Sequence, residues 1–67
     1  MNYNIIVNLE DNTVITIPAE YENEDSLKQN VTAIGNNGVW QHIGENYTFT
    51  PSHKIRNIYV LEDNKIK

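Results

Sequence analysis

In this 67-residue chain the residues whose types could do chemistry are two histidines, two serines and a run of acids. A hydrolytic or transfer site needs a nucleophile beside a base, paired carboxylates on rigid elements, or ligands converging on a metal. Ser26 and Ser52 sit in no nucleophile-elbow context; the first reads better as a helix cap and the second as a turn residue. Glu20, Glu22, Glu24 and Asp25 could attract a divalent cation, but their spacing matches no calcium loop, and a solvated connector is the plainer reading. Cysteine is absent, which removes disulfides and thiolate metal sites. His42 and His53 are poorly spaced for zinc. They would act as a pH-sensitive pair only if the fold joined them, and ordinary surface histidines are the simpler account. No glycine-rich phosphate loop is present. The expectation is a protein without catalytic, metal or cofactor residues, and so not an enzyme.

Binding chemistry is better represented. Gly38 to Leu61, GVWQHIGENYTFTPSHKIRNIYVL, holds the single Trp, the single Phe, both His and two of the four Tyr. Trp40, with His42, Thr48 and Thr50 expected on the same strand face, is the candidate partner-binding cluster, because exposed indoles dominate interface energetics. The competing reading makes Trp40 a core residue under a helix. A second binding reading takes single-stranded nucleic acid, with Tyr47 and Tyr59 stacking on bases and Lys54 and Arg56 meeting phosphates. The chain's net charge of −4 and its lack of a basic cluster weigh against phosphate-backbone binding.

These residues need elements to hold them. Residues 3–9 alternate, with Tyr3, Ile5, Val7 and Leu9 on one face, which is the period of a half-buried strand. Residues 13–17 repeat the pattern. A three-residue loop, Glu10-Asp11-Asn12, pairs Val7 with Ile15 and Ile5 with Ile17, keeps the large aliphatics together, and puts Asn12 in a left-handed position. Pro18 is expected to end the second strand and residues 19–25 to form an acidic connector. Ser26-Leu-Lys-Gln29 fits a capping box, which predicts a helix over 26–34 closed by Gly35. A rival reading makes Val31–Ile34 a strand turning through Gly35-Asn36-Asn37-Gly38 into Val39-Trp40. Val39–Ile43 and Tyr47–Thr50 then form a hairpin around Gly44-Glu45-Asn46, pairing Ile43 with Tyr47 and Gln41 with Phe49. Pro51–Lys54 is a corner or single helical turn, and a last strand covers about 56–62. The expected core is Ile5, Val7, Leu9, Ile15, Ile17, Leu27, Val31, Ile34, Val39, Ile43, Tyr47, Phe49, Ile58 and Val60.

The resulting fold is α+β, a small curved antiparallel sheet of two hairpins plus a C-terminal strand with one short helix, in the order ββαβββ. It forms a single domain over 1–62 with a frayed tail at 63–67. The alternative is an all-β small barrel. A chain this short buries only about 60% of its unfolded surface, and without disulfides or metal the remaining remedy is association, so a homo-oligomer is expected. Charge is polarised: Glu10, Asp11, Glu20, Glu22, Glu24 and Asp25 precede the first base, Lys28, while Lys54, Arg56, Lys65 and Lys67 lie near the end. The N-terminus has neither a basic leader nor a long apolar run, which points to a cytoplasmic protein with no membrane segment.

Two resemblances attach to these motifs. Trp40, Gly44, Thr50-Pro51-Ser52 and the closing apolar strand resemble the second half of Src-homology-three barrels. The acidic, aromatic-rich loop of that family is not recognisable upstream, so no proline-rich-peptide groove follows. Small barrels of this kind, Sm-like ones included, often bind nucleic acid, and that is what the likeness implies here. Second, Leu9-Glu10-Asp11, the short helix, Trp40 to Gly44 and Ile55 to Ile58 are similar in pattern to small accessory proteins carried by phages and prophages of low-GC Gram-positive bacteria. That resemblance assigns no active residue and implies a protein that binds and modulates a host or defence protein.

Overall fold

The computed structural model describes residues 2–62; the expected frayed tail at 63–67 lies outside them. The elements are β1 (Asn2–Leu9), β2 (Val14–Glu20), α1 (Glu24–Asn37), β3 (Val39–Ile43), β4 (Asn46–Thr50), a 3-10 turn (Ser52–Lys54) and β5 (Ile55–Glu62). The α+β composition and the ββαβββ order stand. The single sheet does not: β2-β1-β5 form one antiparallel sheet and β3-β4 a separate two-stranded ribbon. Strand β1 has β2 on one edge and β5 on the other, so no edge of the central strand is left for the second hairpin. Among the described residues the strands do not close into the alternative barrel.

The β1–β2 hairpin follows its hydrophobic pattern. Ile5 pairs with Ile17 and Val7 with Ile15. Leu9 N–H donates to the Thr13 carbonyl at 2.9 Å, and Asn12 takes φ +72° in the three-residue loop. Asp11 supports that loop by accepting from the Thr13 N–H at 3.0 Å. Its bonds to Thr13, side chain first and backbone second, hold the Asp11 carboxyl below the usual carboxylate range. Strand β2 runs through Pro18, which sits opposite Asn4, instead of ending there. β2 is an edge strand, the place where a ladder tolerates a residue without an N–H.

The helix is longer than its predicted span and is capped differently. Asn23 is the N-cap, its side chain accepting from the Ser26 N–H at 2.9 Å, so Ser26 lies within the first turn. Glu24 and Asp25 occupy that turn, where the helix dipole favours carboxylates. Gly35 is inside the helix, and Gly38 ends it with φ +93° and its N–H on the Ile34 carbonyl at 2.9 Å. Leu27 is buried, and Val31 and Ile34 pack against the core, so the helical spacing prevailed over the rival strand.

The core is the face of β1 that alternation picks out, Tyr3, Ile5 and Val7, with Ile15, Leu27 and Val39. Ile5 and Val7 are essentially sealed from water, each worth about 1.5–3 kcal/mol of burial. Burial raises the Tyr3 phenol above its ordinary value, with smaller contributions from Glu62 and Glu24. Leu9, Ile17, Ile58 and Val60 pack around this centre. Ile43, Tyr47 and Phe49, expected in the core, are instead exposed. The turn of β1–β2 is tied to the start of β5: Glu10 N–H donates to the Lys54 carbonyl at 3.0 Å, and the Arg56 guanidinium donates to the Glu10 carbonyl at 2.9 Å.

Candidate interaction surface

The site is made by one register. The second hairpin has a two-residue loop, Gly44-Glu45, and pairs Ile43 with Asn46, His42 with Tyr47, Gln41 with Thr48, Trp40 with Phe49 and Val39 with Thr50. The expected three-residue loop is therefore wrong by one position, and a one-residue slip moves every side chain of a strand to the other face. Of the two loop residues only Gly44 has positive φ, +60°, which suits the two-residue turn with glycine first. The glycine followed by a non-glycine residue was a legible sign of that turn.

The corrected register changes the cluster. Trp40 and His42 share their face with Phe49 and Tyr47; Thr48 and Thr50, expected beside them, lie on the opposite face. Thr50 is buried against the body of the protein, opposite Val39. Trp40 is 67% exposed, so the core reading for it fails. Two ring pairs result: Trp40 and Phe49 have centroids 5.0 Å apart with planes tilted by 47°, and His42 and Tyr47 stack at 4.6 Å and 9°. Such pairs add about 0.5–1.5 kcal/mol beyond area burial, and they hold the exposed rings in fixed places. Phe49 is in turn seated on Gly38, whose missing side chain leaves the room its ring occupies.

The residues of the nucleic-acid reading come from separate elements. Tyr47 is on the ribbon and Tyr59 on the three-stranded sheet. The Arg56 guanidinium also meets the Asn12 side-chain oxygen at 3.2 Å, in addition to the Glu10 carbonyl. Lys54 lines a groove of about 440 Å³ with Leu9, Glu10, Asp11, Phe49 and Pro51. His42 is in β3 and His53 in the 3-10 turn. Among the described residues, no three His, Asp or Glu side chains group as metal ligands, and no helix is long and apolar enough to cross a membrane.

A second groove, of about 270 Å³, separates β2 from β3 and is lined by Ile15 to Pro18 and Trp40 to His42. Comparison of the chain with protein-family models, with curated proteins and with solved structures finds no match in any of the three.

Proposed function

We propose that this chain is a non-enzymatic interaction protein that binds another protein through the aromatic face of the β3–β4 ribbon. The observation that carries the reading is the exposure of four paired rings, Trp40, Phe49, His42 and Tyr47, on a ribbon with little support of its own. A two-stranded hairpin is marginal in water without a further packing surface, and Trp and Tyr held rigid at a surface are the residue types that anchor interfaces at low entropic cost. The acidic, cysteine-free composition and the lack of a nucleophile–base arrangement in the sequence support a binding role over a chemical one.

The test is affinity capture from a bacterial lysate with the wild type, Trp40→Ala, Tyr47→Ala and, as a control on the helix, Gln29→Ala. A specific protein retained by wild type and Gln29→Ala should bind both ring variants at least ~30-fold more weakly, the factor that corresponds to about 2 kcal/mol at a hot spot. Undiminished binding by both ring variants would overturn the proposal, as would recovery of nucleic acid in place of protein.

A further inference from the structure

The three-stranded sheet has an outer face that the helix does not cover. It carries Asn4, Ile6 and Asn8 from β1, Val14, Thr16 and Pro18 from β2, and Asn57, Tyr59 and Leu61 from β5, as the register requires. Ile6 is buried at its centre, while Val14, Tyr59 and Leu61 are 55%, 46% and 52% exposed. A groove lined by Ile15 to Pro18 and Trp40 to His42 runs between β2 and β3. Ile15 and Val39 meet in the core on one side of it, so Thr16 and Pro18 of this face and Trp40 and His42 of the aromatic face flank its other side.

We propose that the occupant of this combined face is a second copy of the chain, packed about a two-fold axis. The inference rests on the reading of the ribbon as a protein-binding surface and names its partner. Charge is the first argument. The chain has 14 charged residues, five basic and nine acidic, yet among the described residues the paired positions of the outer sheet face carry only Glu20, at its corner beside Asn2. The aromatic face carries no Asp, Glu, Lys or Arg of its own, although Phe49 borders Glu10, Asp11 and Lys54 in the first groove. The other charges of the described chain sit on the β1–β2 turn, the connector and helix, the ribbon tip, and the turn before β5 together with that strand. A two-fold interface sets a patch against itself, so a charge near the axis meets its own copy. A patch without charges lets a chain of net charge −4 meet its own copy without like-charge repulsion at the axis. A foreign partner imposes no such condition, since it could supply complementary charges.

Area is the second argument. At ~150–250 Å² per aromatic side chain, and somewhat less per aliphatic one, the exposed parts of Trp40, Tyr47, Phe49, Tyr59, Leu61 and Val14 amount to on the order of 600 Å². The intervening Asn, Thr and His side chains bring the face to the ~800 Å² per partner of a standard specific interface. Either half alone falls short of it.

Sedimentation equilibrium of the full chain, from micromolar to millimolar concentration, tests this with wild type, Tyr59→Lys/Leu61→Lys, Val14→Lys and Trp40→Ala. The substituted positions are exposed, and circular dichroism verifies that each variant folds; Val14→Lys supplies the readout if the double variant does not. The expected result is a wild-type dimer whose dissociation constant changes little with salt and rises at least tenfold in each variant. A wild type monomeric at millimolar concentration overturns the inference, and if it still captures a protein through Trp40, the reading of the ribbon survives. A dimer unaffected by the sheet variants also overturns it. A dimer split by the sheet variants but indifferent to Trp40→Ala overturns it as well, because the ribbon is then outside the interface.

Discussion

Gly38 answers two demands at once. Its φ of +93° is a conformation that L side chains rarely adopt, and a β-carbon there would lie 2.6 Å from the Thr50 carbonyl oxygen and 2.7 Å from the Phe49 ring. Gly44 has φ +60° with nothing within 4 Å of the position a β-carbon would take. The two sites separate backbone strain from crowding. Gly44→Ala should lose about 1–2 kcal/mol, the left-handed penalty alone. Gly38→Ala should lose more, about 2–5 kcal/mol, because strain of ~1–3 kcal/mol and overpacking of similar size act together. Urea denaturation of the two variants checks the order; equal losses would show that the ring and carbonyl move aside freely. In the sequence, Gly38 is legible only as a turn or cap residue, because the ring that crowds it comes from a strand eleven positions away.

At the scale of elements, the helix start shows how near-equivalent capping residues compete. The capping-box spacing from Ser26 to Gln29 is a genuine pattern, but Asn23 lies three residues upstream of the Ser26 N–H and takes that donor. Asn23→Ala should therefore destabilise by about 1 kcal/mol, within the ~0.5–2 kcal/mol range of cap deletions, while Ser26→Ala should change stability by less than about 0.5 kcal/mol. Thermal melts followed by circular dichroism distinguish the two; the reverse order would restore Ser26 as the cap. The hairpins make a complementary case. For β1–β2 one register buries Ile5, Val7, Ile15 and Ile17 together, and the neighbouring register exposes half of them, so pattern alone decides. For β3–β4 both faces of the distal ribbon are exposed, with Trp40, Ile43 and Tyr47 all largely in water. Burial cannot choose there, and turn geometry does.

For the whole molecule, stability rests on a small centre. Sixty-seven residues at about 0.05–0.15 kcal/mol each imply a total of roughly 3–10 kcal/mol. Ile5, 1% exposed, lies within that centre. Ile5→Ala should remove about 2–5 kcal/mol, enough to leave the chain partly unfolded at ambient temperature. Ile43→Ala, at a position expected in the core but 59% exposed, should stay within about 0.5 kcal/mol of wild type. Denaturant midpoints for the pair test whether the centre really excludes the distal ribbon beyond Val39, and comparable losses would put Ile43 in it. The location of the core on one side of β1 also explains why the other side remains available: one short helix covers one face of a three-stranded sheet and no more.

The sequence by itself determined that β1, β2 and β5 are strands, which face of β1 is buried and the register of the first hairpin, while for residues 26–34 it offered a helix with a strand as rival. Each follows from hydrophobic periodicity wherever one face must leave water. It also marked Trp40 and its neighbours as unusual. Only the tertiary structure decided that β5 takes the free edge of β1, that the second hairpin therefore stands as its own ribbon, and that Trp40 shares its exposed face with Phe49, His42 and Tyr47 instead of Thr48 and Thr50. The physical reason is common to all three. Edge pairing joins residues about fifty positions apart, and the ribbon's register depends on one glycine turn, with only the Val39–Thr50 pair buried at its base to reinforce it.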